Sequence, residues 1–208
     1  MIKNLDDNTG RLIDCLKSKG IYDDTIIIYL SDHGDYMGSH GLWCKGLPCF
    51  REAYNVPAVI GGGNIKASKC KSFVSLADFA PTILEYAGIK DAPAVTGRSL
   101  IPLINDAVPP DWRTEVYTQT NGNEAYGIQR AVWNNKWKYV HNLFDYDELY
   151  DLENDPLEIK NIINNPGNEA VVRDMCKKLW NFAKRHGDNC TCPYIMVTFA
   201  PYGPGIAD

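Results

Sequence analysis

The chain has 208 residues, enough to bury a sizeable core and form one or two domains. Its formal net charge of −5 argues against a nucleic-acid surface, yet leaves room for a local basic site facing an anionic ester. Hydrophobic residues at 45% and charged residues at 23% fit an ordinary globular protein, and no apolar run approaches the length of a membrane span.

Seven cysteines is an odd number, and they lack the regular spacing of a disulfide framework. Cys190 and Cys192 are too close together for zinc-finger spacing, with no second pair nearby. Mostly free thiols are expected, which fits a reducing, cytoplasmic setting. Met1 to Asn4 shows no signal-peptide pattern and leads into an amphipathic helix.

In that helix Ile2, Leu5, Leu12, Ile13 and Leu16 recur at helical spacing, and Gly20 provides a stop. Asp6 and Asp7 sit early while Lys17 and Lys19 sit late, complementing the helix dipole. Next comes Ile26-Ile27-Ile28-Tyr29-Leu30. An apolar run without alternation predicts a strand buried on both faces, as in a parallel sheet under helices. It stops at Ser31-Asp32-His33-Gly34. In open α/β sheets ligands sit beyond the carboxyl ends of strands, so Asp32 and His33 stand where such a fold does its chemistry. His40 and Lys45 follow in one loop with Gly34, Gly38, Gly41 and Gly46. An Asp oxygen, a His nitrogen and a Lys ammonium together suit a metal-assisted site for a phosphate or sulfate ester. The same residues also fit a plain polar loop.

Phe50 to Tyr54 reads as a short helical segment and Val56 to Ile60 as a second strand, ended by Gly61-Gly62-Gly63 acting as a turn. Ser75 to Ala87 reads as a helix. Ser75 and Asp78 resemble a capping box, and Pro81 marks either a kink or the true start. Pro102, Pro109 and Pro110 place a boundary near residue 107. Beyond it, residues 115–120, 127–134 and 137–141 read as short strands, with Asn134-Asn135-Lys136 as a hairpin turn, and residues 148–152 as a further strand. Tyr126, Trp133, Trp137 and Tyr139 read as core aromatics. Residues 168–185 form a helix with Val171, Val172, Met175, Leu179 and Phe182 on one face. The expectation is therefore an α/β portion over residues 1–107, an antiparallel sheet with a covering helix over 108–187, and an irregular tail over 188–208.

Several separate elements together carry a family resemblance. They are Ser31-Asp32-His33-Gly34, then His40-Gly41-Leu42-Trp43 with Lys45-Gly46, then Glu52 and Val56-Pro57. Ser75-Leu76-Ala77-Asp78, Ala80-Pro81-Thr82, Gly97-Arg98-Ser99-Leu100, Glu148-Leu149-Tyr150-Asp151-Leu152 and Asn154-Asp155-Pro156 continue the order. This pattern resembles the sulfatase family of the alkaline phosphatase superfamily, over roughly residues 1–185. The resemblance implies an alkaline-phosphatase-like mixed sheet with flanking helices. It implies that Asp32 and His33 ligate a divalent cation, most simply Ca²⁺, with Mg²⁺, Mn²⁺ or Zn²⁺ as alternatives. Lys45 would contact sulfate oxygens, and His40 would stand beside it in the candidate catalytic loop. The substrate would be a sulfated small molecule or glycan.

The sequence departs from the family in two respects. No cysteine sits in the Cys-x-Pro-Ser-Arg motif that becomes the formylglycine nucleophile, and the paired acidic metal ligands are absent. The chain thus looks like the C-terminal half of a sulfatase, expected to self-associate or pair with the other half. A phosphatase or phosphonate hydrolase of the same superfamily, and a non-catalytic binding module, are the competing readings.

Overall fold

The computed structural model describes residues 1–89, 93, 95–122, 127–143, 145–188 and 202–207. Cys190, Cys192, Tyr126 and most of the tail lie outside these. In chain order the helices and strands are α1 (Ile2–Ser18), β1 (Ile27–Leu30), α2 (Arg51–Tyr54), β2 (Ala58–Gly61), α3 (Phe79–Tyr86), α4 (Ile101–Ile104), β3 (Val116–Thr120), β4 (Gln129–Trp133), β5 (Trp137–Asn142), β6 (Glu148–Asp151) and α5 (Glu169–Arg185). The class is mixed α/β, with antiparallel sheets and flanking helices. Two compact units share the chain: residues 1–32, 56–71 and 76–110 form one, and residues 33–55, 72–75 and 111–208 the other.

In the first unit β1 pairs with β2 antiparallel, Ile27 opposite Gly61 and Leu30 opposite Ala58. This corrects the expectation of a parallel strand buried on both faces. Among the described residues β1 has one neighbour, and Tyr29, Leu30 and Val59 stay exposed. An apolar run announces a strand but not which of its faces is covered. Likewise α1 forms over the predicted span and buries none of its residues.

Gly62 and Gly63 turn the chain after β2 with φ of 82° and 52°. A side chain at Gly62 would collide with the Thr25 carbonyl at 2.2 Å. α3 begins at Phe79, preceded by a 3-10 turn over Leu76–Asp78. Pro81 therefore lies in the first turn, where a missing N–H costs nothing, and the helix has no kink to explain. The Asp78 carboxylate, fully buried, accepts the Arg98 N–H at 2.8 Å. Thr82 donates to the Asp78 carbonyl and accepts the Leu100 N–H. The Gly97-Arg98-Ser99-Leu100 segment is thereby stitched to α3 through its backbone.

The second unit is a meander, β3-β4-β5-β6, in which every strand pairs antiparallel with its sequence neighbour. Asn134 makes the predicted hairpin turn, its side-chain oxygen accepting the N–H groups of Lys136 and Trp137. Alternation sends Val132, Tyr139 and Leu149 to one face, where they pack on Val172, Met175, Cys176, Leu179 and Trp180 of α5. Ala131, Val140 and Tyr150 point to the other face and pack on Cys49, with Phe50 and Tyr54 alongside. The sheet thus has a helix on one side, and on the other the segment that follows the His33–Lys45 loop.

Candidate active site

The loop from His33 to Phe50 is folded against α2 within the second unit. Gly34 donates its N–H to the Ala53 carbonyl at 2.9 Å. A Cβ at Gly34 would lie 1.8 Å from the Glu52 carbonyl oxygen, so only glycine permits this approach. Tyr36, 1% exposed, places its hydroxyl between the Gly46 and Pro48 carbonyls, and its N–H donates to the Cys44 carbonyl. Burial holds the Tyr36 phenol well above its usual pKa, so it stays protonated and a donor.

These contacts bring His33 and Lys45 together. His33 Nδ1 lies 2.8 Å from the Gly34 carbonyl oxygen, which can only accept, so Nδ1 carries the proton. Nε2 then presents a lone pair, and Lys45 Nζ, which can only donate, sits 3.0 Å from it. In this tautomer Nε2 faces the Lys45 ammonium. That is the form in which imidazole ligates a metal, with the second nitrogen fixed by a backbone carbonyl.

His40 occupies a 3-10 turn over Ser39–Gly41 at φ 55°, a left-handed conformation rare outside glycine. Its ring stacks on Phe50 with centroids 3.7 Å apart, and its Nε2 lies 3.6 Å from Glu52 Oε2. His40 therefore faces α2 as a loop-holding residue, and its polar partner is Glu52. Asp32 is exposed, two residues past the end of β1. Among the described residues no three His, Cys, Asp or Glu side chains gather into a metal cluster.

Residues far along the chain also hold the loop. Cys49 N–H donates to the Gln129 side chain at 2.7 Å. Lys138, on β5, donates to the Cys49 carbonyl and to Glu158. Polar residues in an alternating strand read as solvent-facing, and nothing local signals that a distant loop covers them.

Residues 38–185 match the family model described as N-sulphoglucosamine sulphohydrolase, C-terminal. The chain belongs to the sulfatase family. It is 38% identical over 190 residues to a choline-sulfatase from Rhizobium meliloti, covering 86% of this chain and 36% of that protein. A sulfatase-family fold is equally plain in solved structures. A phosphonate monoester hydrolase from Agrobacterium radiobacter superposes with a TM-score of 0.83 at 29% identity, over 89% of this chain and 40% of that one. A protein solved with its substrate D-glucosamine-2-N,6-O-disulfate superposes with a TM-score of 0.78 at 30% identity, over 90% and 40%. The chain thus spans about two fifths of the length of the relatives it matches.

Proposed function

We propose that this chain contributes the cation- and anion-contacting loop of a metal-dependent sulfate-ester hydrolase. The observation that carries the reading is the His33–Lys45 contact at 3.0 Å on a loop with the sulfatase order of residues. A divalent cation in such a site supplies Lewis acidity and holds an ester oxygen in place. From this chain, the Asp32 carboxylate would offer one oxygen donor, and His33 Nε2 one nitrogen donor once Lys45 turns from it to the anion. That set suits Ca²⁺, Mg²⁺ or Mn²⁺, with Ca²⁺ favoured by the family resemblance. Lys45 lies next to the same nitrogen, placed to neutralise charge on the transferred sulfuryl group. The formylglycine nucleophile of the family has no counterpart motif in these residues. Substrates would be sulfated small molecules or glycans, consistent with the amino-sugar disulfate bound by one structural relative.

The likeness to the phosphonate monoester hydrolase favours a second reading, hydrolysis of a phosphonate or phosphate ester through the same residues. The test is to assay the protein carrying this chain on an aryl sulfate and an aryl phosphonate in parallel, with and without chelator. Metal-dependent sulfate release that is lost in Lys45→Ala supports the first reading. Phosphonate turnover alone supports the second, and no metal-dependent turnover of either ester overturns both.

A further inference from the structure

Lys138 and Glu158 form an ion pair at 2.7 Å with side chains 0% and 1% exposed. A buried pair of this kind adds little stability over apolar residues of the same volume, because desolvating both charges offsets their attraction. Its value lies in what it touches. Lys138 Nζ also donates to the Cys49 carbonyl, and Glu158 Oε2 also accepts the Arg51 N–H at 3.2 Å. These two backbone groups flank Phe50, so the pair fixes the peptide units on either side of that residue. Phe50 in turn stacks on His40, and Lys138 Nζ lies 5.9 Å from the Phe50 ring. One turn further, the Ala53 carbonyl accepts the Gly34 N–H beside His33. Glu158 reaches this position from φ 56°, and Arg51 bonds the Pro156 carbonyl at 2.6 Å, tying the same turn to α2.

We propose that Lys138 and Glu158 are positioning residues: a buried charge clamp that sets the first turn of α2 and, through Phe50 and Ala53, the placement of His40 and His33. The roles of His33 and Lys45 toward cation and anion rest on the proposed function; the clamp itself stands on the contacts above.

Four histidines make the test direct. His33 and His40 lie on the clamped loop, whereas His141 packs edge-on against Trp180 and His186 caps α5, both on the α5 side of the sheet. Imidazole ¹⁵N–¹H spectra of the 208-residue chain are compared with those of Lys138→Met/Glu158→Gln, which removes both charges and keeps side-chain volume. The expected result is that His33 and His40 signals shift and average toward solution tautomer populations, while His141 and His186 hold theirs and unfolding stays cooperative. Unchanged His33 and His40 signals overturn the proposal. A common shift of all four also overturns it, because that marks general loosening. If the double variant does not fold, Glu158→Gln alone is read the same way. In the unmutated chain, an Nε2–H tautomer at His33 would count against the Lys45 contact and the proposed function, while the His40 readout would still test the clamp.

Discussion

His33 and Lys45 stand twelve residues apart in sequence and 3.0 Å apart in space, with the imidazole lone pair accepting and the ammonium donating. The proposed roles of His33 toward a cation and of Lys45 toward an anion both start from this contact.

Replacing Lys45 with alanine is expected to cut turnover of the protein carrying this chain by about 10²-fold or more, as loss of one donor to developing charge does elsewhere. The side chain is exposed, so the unfolding midpoint should hardly move. Lys45→Arg should rescue poorly, because a planar fork does not reproduce a compact ammonium. Steady-state kinetics and a denaturation curve on the same preparations check both halves. Unaltered kcat/KM in Lys45→Ala would remove the residue from the site.

Gly34→Ala should behave differently, as a folding lesion. The new methyl carbon would meet the Glu52 carbonyl at 1.8 Å, and backbone cannot yield as a flexible side chain can. A loss of about 1–3 kcal/mol, typical of overpacking, is expected in the urea midpoint, together with loss of the His33 tautomer signal. Equal stability of the alanine variant would show that the Gly34 approach to α2 is looser than described.

The thiols should divide by burial. Among the described residues, Cys15, Cys44 and Cys70 are exposed, while Cys49 and Cys176 are buried. Desolvation pushes the Cys176 thiol up to about 12, its Sγ–H meanwhile donating to the Tyr202 carbonyl. Burial raises Cys49 as well. Alkylation at pH 8 followed by mass spectrometry should label the exposed three rapidly and spare the buried two until denaturant is added. The sign of the linked stability follows. A raised folded pKa means the native chain holds its proton longer than the unfolded one, so the contribution is complete below the ordinary thiol pKa. It is lost as the pH climbs towards about 12.

The 208-residue chain by itself is expected not to hydrolyse aryl sulfates at an enzymatic rate, with or without Ca²⁺, Mg²⁺ or Mn²⁺. It carries two candidate donors for a hard cation and no nucleophile motif, and parts of a catalytic unit do not contribute additively. Metal-dependent turnover that vanishes in Asp32→Ala would reveal an attacking group among these residues.

Much of this architecture is legible in the sequence where local pattern and tertiary burial agree. Strands β4 and β5 are marked by the Asn134 turn between them and by their aromatic and β-branched residues, and α5 carries one apolar stripe that its period reveals. The His33–Lys45 loop is legible through its glycines and its motif order. β1 misleads because an apolar run looks the same whether one face or two are covered. Lys138 and Glu158 are invisible for a different reason: a charge in an alternating strand or a Pro-Leu-Glu turn reads as solvated, and only the arrival of Cys49 and Arg51 from far upstream buries it.

That distance along the chain sets an order of assembly. Cys49 bonds Gln129, 80 residues later, and Arg51 bonds Glu158, 107 residues later. By contrast, the meander closes only short connections between neighbouring strands, which is entropically inexpensive and fast. As the polypeptide leaves the ribosome, the loop with His33 and Lys45 emerges before its anchors and must wait for them. At ~5–20 residues per second that interval is roughly 5–20 s. The anchoring of this loop is therefore expected to be a late event of folding, withheld until the sheet behind it has been made.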